Sequence, residues 1–416
     1  MPAVLTAVAV AIACVAGFAL AQAGAPAAKP TADATQPAGA WPCYRGPNRN
    51  GISTQKDWNS DWSKAPAKLW EKDVGAGYSA VAAVGERIYT MGNAGGRDTI
   101  WCLEARTGKE VWKFPYACAS KGGDKEHNGP RSTPAVDEGR VYTLSSEGHI
   151  FCLDAEKGTK IWELNANRDI GTHPPTWEYS SSPLVSGDKV FFDLGPIVAL
   201  DKKTGRGVWK SKASKPGYSS PVAFKLGDQA LIASFTGSGL AVVNAASGVE
   251  IASAGWSTSY DCHAATVCVE GDLLYISSNY GVGCALFKLE GGKLRQLWRN
   301  KEIKNHFNSS VVWKGCVYGV DEGGALVCLD LASGAVKWKQ NGFGRGGSVL
   351  VADGKLIAMS DGGDIGVAPA GAEGFKPTGK FKALGGTCWT VPVLADGRLY
   401  VRNHEGGLVC YDVSKS

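Results

Sequence analysis

A short phrase that keeps returning constrains this chain more than any other feature of it. IWCLEARTGKEVW (100–112) recurs as IFCLDAEKGTKIW (150–162) and IVALDKKTGRGVW (197–209). Looser copies follow at 240–252, 285–298, 326–338 and 365–376, and a truncated one, LVCYDV, occupies 408–413. Each copy reads as a strand, a turn built on Thr-Gly or Ser-Gly, and a second strand ending in Trp; the glycine supplies the positive φ of a tight hairpin. Ahead of the copies stand segments such as STPAVDEGRVYTL (132–144), SSPLVSGDKVFFDL (181–194) and TVPVLADGRLYVRN (390–403), each an apolar alternation broken by a glycine turn. Two hairpins per unit make a four-stranded antiparallel sheet, and a period of about 40–50 residues without helical periodicity is that of a propeller blade.

Counting the units fixes the ring. First strands begin near Tyr78, Arg131, Tyr179, Tyr218, Cys262, Phe307, Gly347 and Cys388, and third strands centre on Cys102, Cys152, Ala199, Val242, Phe287, Cys328, Val367 and Cys410. Fourth strands complete only the first seven. The missing one is AKLWEKDV (67–74), which carries the same late tryptophan, Trp70. The sequence therefore predicts an all-β, eight-bladed β-propeller over 67–413, its ring closed by an N-terminal strand so that no sheet edge is left open. The Trp residues are expected to pack over the neighbouring blade, and the acids Asp154, Asp201 and Asp330 to bond turn amides.

Residues 3–20 carry no charge and run into Ala19-Leu20-Ala21, a small-x-small site, so 1–21 reads as an export signal; an uncleaved N-terminal anchor is the alternative. No other apolar run is long enough to span a membrane. The 22–66 stretch is expected to be a spacer and extension, Ala/Pro-rich over 22–40, with folding signals from Trp41 onward. Lys and Arg number 44 against 39 acids, a formal net charge of +5 without a basic run, which speaks against nucleic acid as a partner. Beyond Cys14, eleven cysteines remain without any Cys-x-x-Cys or Cys-Cys pair. Four of them share one repeat position and read as small buried hydrophobes.

The phrase C-L-D-A-x-x-G-x-x-x-W closely resembles the tryptophan-docking repeat of the pyrroloquinoline-quinone-type (PQQ-type) β-propellers. The resemblance covers 67–413, and WPCYRGPNRNGIS (41–53) is similar to a segment preceding the propeller in uncharacterised exported bacterial members. The resemblance implies one of two functions. One is that of a non-catalytic envelope propeller, like the lipoprotein of the barrel-assembly machinery; the other is that of a quinone-dependent dehydrogenase of alcohols or sugars. Alcohol-oxidising members hold their quinone over a vicinal Cys-Cys disulfide beside Ca²⁺, and this chain lacks that pair. The resemblance therefore favours an exported, non-catalytic binding or scaffold propeller without cofactor or metal, with PQQ as cofactor under the alternative.

Hydrolase, zinc-protease and nucleotide-loop templates are absent, and Gly342–Gly347, literally G-x-G-x-x-G, lies between strands and reads as a turn. Topology points further. Innermost strands start beside the axial channel, so the residues at those starts converge. The candidate binding residues are Tyr78, Arg131, Tyr179, Tyr218, His263, His306, Arg345 and Trp389. They either fill the axis or form a mouth for a planar or anionic ligand. The longest connections, 115–130 and 165–178, are expected on the same face, where an envelope protein or a small ligand would sit. The opposite face, with its short turns at 137–139 and 396–397, is expected to offer little to grip.

Overall fold

The computed structural model describes residues 39–120 and 128–415; the expected signal, 1–21, lies outside them. Eight antiparallel sheets follow one another along the chain. Blades 1 to 8 span 82–117, 135–165, 184–210, 222–255, 268–300, 311–341, 348–382 and 393–412, and in blade 8 the fourth strand is the N-terminal Ala67–Asp73. That strand pairs antiparallel with Gly407–Asp412, Trp70 opposite Cys410. The closure read from the sequence is the one observed.

The repeat phrase is the joint between blades. Each docking Trp lies over the turn of the next blade and donates its indole N–H to a carbonyl there. Trp112 reaches Ala155 O at 2.9 Å, Trp162 reaches Lys202 O at 3.1 Å and Trp338 reaches Gly371 O at 3.0 Å. The turn glycine is required twice over. Gly158 sits at φ +68°, and a Cβ there would lie 2.6 Å from the Trp112 ring. Asp154 Oδ1 accepts the amides of Glu156 and Lys157, which fixes the turn. A second belt runs around the inside, where hydroxyls of the strand entries accept amides from the preceding blade: Ala80 to Thr133, Thr133 to Ser182, and Ser182 to Ser220. The Ser/Thr-Pro-like entries of the repeat are thus inter-blade bonds. All eleven cysteines of the described residues are free, ten of them buried.

Two seams lack the tryptophan dock. Blade 4 has Ala252 at the docking position, and Trp256 a turn further on takes over, donating to Ser278 Oγ at 2.7 Å under the Arg299 guanidinium. Blade 7 has Gly379 there, opposite Val367, and a Cβ on it would overlap Trp62. Its seam with blade 8 is filled from the N-terminal extension, by Trp58 and Trp62, both buried among Leu350, Ile357, Leu399 and Val409.

The extension does more than fill that seam. Trp41 pairs with Ala83 of blade 1, Pro42 O accepts Val136 N–H of blade 2, and Ile52–Ser53 adds a parallel strand to blade 7 against Val351–Ala352. Between them Arg45 donates to Ser310 O (2.7 Å), while Arg49 donates to Pro183 O (2.7 Å) and Ser182 O (3.0 Å), both side chains fully buried. Residues 41–55 therefore cross the axis at the short-turn face, bonding blades on opposite sides of it. That face is not bare, as expected from its turns: Gln55 caps the 396–397 turn through Gly397 N–H. Short turns leave room for a covering segment, which composition could not reveal.

Candidate functional site

With one end of the axis covered, the other is a cup. Its cavity measures about 290 Å³, and Tyr44 of the crossing segment contributes to its lining from below. The wall is a relay of rings supplied by different blades. His404 stacks on Tyr78 (4.6 Å), Tyr78 on Trp389 (5.8 Å), Trp389 on Phe307 (4.3 Å) and Phe307 on His306 (3.8 Å), all within about 21° of parallel. The relay continues through Tyr280, Tyr260, Trp177 and Tyr218 in tilted and edge-on contacts.

Two guanidinium groups lie on this wall. Arg131 is 5.8 Å from the Tyr78 ring and 3.9 Å from the Glu178 carboxylate. Arg345, exposed at the rim, lies 5.6 Å over Trp389. Its loop fits because Gly346 has no side chain; a Cβ there would overlap the Trp389 indole. Asn308 ties that loop to the wall, donating to Gly346 O and Trp389 O. Burial and the charge of Arg345 push the His306 imidazole down to about 4, so it is neutral near pH 7. Burial likewise holds the Cys262 thiol up at about 11 and Tyr218 at about 12, which makes both inert hydrogen-bonding groups here. Glu178, Tyr260, Asp261 and Tyr280 all adopt positive φ around the rim. Backbone conformations of this kind, held by surrounding packing, gather at functional sites.

Six of the eight residues expected at the mouth line the cup: Tyr78, Arg131, Tyr218, His306, Arg345 and Trp389. Tyr179 and His263 do not. Tyr179 is buried between blades 2 and 3, its hydroxyl bonded to Thr172 and Asn167. His263 is fully buried, stacked on Phe235 at 4.4 Å, with Nδ1 against Thr236 O. The physical reason is the period of two: their chain neighbours Ser180, Cys262 and Ala264 face the cup instead. Sequence reasoning missed Tyr44, Trp177, Tyr280 and Asn308. Trp177 was discoverable, since it ends the long 165–178 connection. Tyr44 was not, because nothing in the sequence says that its segment crosses the axis. Of the 115–130 connection, 121–127 lie outside the described residues; at its end Pro130 O accepts Tyr78 N–H, at the cup.

Among the described residues no Asp or Glu lines the cup, and no group of three or more His, Cys, Asp or Glu gathers to hold a metal ion. Among them, too, no helix is long and apolar enough to cross a membrane.

Fold, docked repeat and axial cup together define a PQQ-repeat β-propeller. Residues 96–340 match the family model described as outer membrane protein assembly factor BamB, and the chain belongs to this family. It is 24% identical over 407 residues to outer membrane protein assembly factor BamB of Xanthomonas campestris pv. campestris, covering 84% of this chain and 86% of that protein. It is 34% identical over 156 residues to 1-butanol dehydrogenase (quinone) of Thauera butanivorans, which is 36% of this chain but 23% of the enzyme. The match thus spans about a quarter of that dehydrogenase. Among solved structures, BamB from Moraxella catarrhalis superposes with TM-score 0.63 at 16% identity, over 84% of this chain and all of that one. Quinohemoprotein alcohol dehydrogenase from Comamonas testosteroni gives 0.68 at 11% identity, covering 92% and 82%. At such identities both show the fold alone.

Proposed function

We propose that the protein is an exported, non-catalytic binding propeller of the cell envelope, and that the axial cup is its recognition site for an envelope protein or a small ligand. The observation that carries this reading is the composition of the cup: aromatic walls and two guanidinium groups, without a carboxylate among the described lining residues. Rings and arginines recognise by stacking and charge-assisted hydrogen bonds. The one imidazole among the described lining residues, His306, is a weak base, its pKa held down by burial and by Arg345.

The runner-up reading is a quinone-dependent dehydrogenase of alcohols or sugars, favoured by the identity to the butanol dehydrogenase. PQQ with Ca²⁺ requires flat walls and several hard oxygen ligands. Among the described residues the walls fit and the ligand set does not. Among the described lining residues there is no carboxylate, Asn308 supplies the one side-chain amide oxygen, and the charged groups are guanidinium.

The two readings separate on one preparation. Purified protein is mixed with PQQ and Ca²⁺ and examined for a bound chromophore and for dye reduction with alcohols or sugars. Tight binding with turnover overturns the binding-propeller reading. No turnover, together with a complex with an envelope protein that Trp389→Ala dissolves, supports it. Cell fractionation tests the export.

A further inference from the structure

The charge inventory of the cup narrows what it can hold. Arg131 is shared with Glu178 at 3.9 Å, both side chains largely withdrawn from solvent. Arg345 makes no ion pair among the described residues and lies over the Trp389 face. His306 is neutral near pH 7, with burial and Arg345 both opposing its protonation. The Tyr218 phenol is neutral as well. Around the rings, then, one positive charge has no counter-charge among the described residues, and it stands at the rim while the interior is aromatic.

We infer that the cup binds a small aromatic monoanion, an aryl carboxylate of one or two fused rings, inserted ring-first with its carboxylate at Arg345. This inference rests on the reading of the cup as a binding site and adds the ligand class to it. A cavity of about 290 Å³ is at the small end of ligand pockets, which suits such a molecule. Tyr78, Trp389, Phe307 and His306 are already near-parallel to one another, so a flat guest extends that stack without rearrangement. Fork-shaped guanidinium donors match a carboxylate. A polyanion would bring two or more charges against a single uncompensated cation and would have to desolvate the excess. A neutral arene would leave the Arg345 charge unanswered, and an aliphatic acid would lose the stacking.

The test uses the full chain and four probes in isothermal calorimetry: naphthoate, naphthalene methanol, cyclohexanecarboxylate and benzene tricarboxylate. Naphthoate is expected to bind best, about tenfold or more tighter than each of the others. Arg345→Gln should weaken naphthoate by about five- to tenfold, the modest size following from its exposed position, and leave naphthalene methanol unchanged. Trp389→Leu should weaken both, with thermal unfolding confirming that each variant folds, and Arg345→Lys should restore part of the naphthoate affinity. Absence of naphthoate binding, tighter binding of the tricarboxylate, or indifference of naphthoate to Arg345→Gln would each overturn the inference. Failure of the ligand class is distinguishable from failure of the site. If naphthoate does not bind but an envelope-protein or PQQ complex is lost on Trp389→Leu, the cup stands and only its ligand is wrong. If naphthoate binds and neither substitution changes it, the cup is not the site and both readings fall.

Discussion

Each end of the axis carries two arginines, and the two pairs do different things. At the covered end Arg45 and Arg49 are buried and their donors are spent on backbone carbonyls of blades 6 and 3. At the open end Arg131 lies beside the Tyr78 ring and is paired with Glu178, while Arg345 lies exposed over the Trp389 ring. A guanidinium whose N–H groups are consumed by the main chain is a structural cross-link. One that is only stacked has its hydrogen-bonding capacity left for a ligand. The comparison teaches that residue type does not separate scaffold from site here; the fate of the donors does.

If that division is right, damage at the covered end appears as lost stability. Trp41→Ala removes the fully buried side chain that pins the crossing segment to blade 1 and should cost about 3–5 kcal/mol in urea unfolding. A cost under about 1 kcal/mol would mean that the segment is a passenger.

Next in size, Arg49→Met keeps bulk but strips the donors from Ser182 O and Pro183 O. About 2–4 kcal/mol of stability should be lost, with the fold retained at low denaturant. A neutral outcome would break the cross-link argument.

The open end should respond to acid. The folded-state pKa of His306 is depressed to about 4 from an ordinary 6.5, so between those values the unfolded chain binds more protons. Its contribution to stability is therefore present above about pH 6.5 and is lost as pH falls toward 4, on the order of 2 kcal/mol. Unfolding free energies measured across that range in the parent and in His306→Phe should differ in slope; parallel curves would remove His306 from the account.

The smallest effect sharpens the comparison most. Arg345→Ala should change stability by no more than about 0.5 kcal/mol, as for other exposed side chains outside the packing. A loss comparable to that of Arg49→Met would make Arg345 scaffold as well.

The repeat determined the ring. Its period, turn glycines and late tryptophans specify four-stranded blades, the Trp-to-carbonyl docks and the strand exchange at Ala67–Asp73, because these are local patterns with a fixed geometric consequence. The weak copies at 240–252 and 365–376 even marked the two seams where the dock is replaced. The same periodic reasoning placed most of the cup, since blade topology brings innermost strand starts together. It misplaced Tyr179 and His263 by one residue, because a strand entry is irregular and its side-chain parity is set by the first inter-blade bond, as when Ser182 meets Ser220. What only the tertiary structure decided is which end of the axis is open. Residues 41–62 have no repeat and no periodicity. Their fit, with Trp41 on blade 1, Arg49 on blade 3 and Trp58 and Trp62 between blades 7 and 8, depends on surfaces that exist only once the ring has closed.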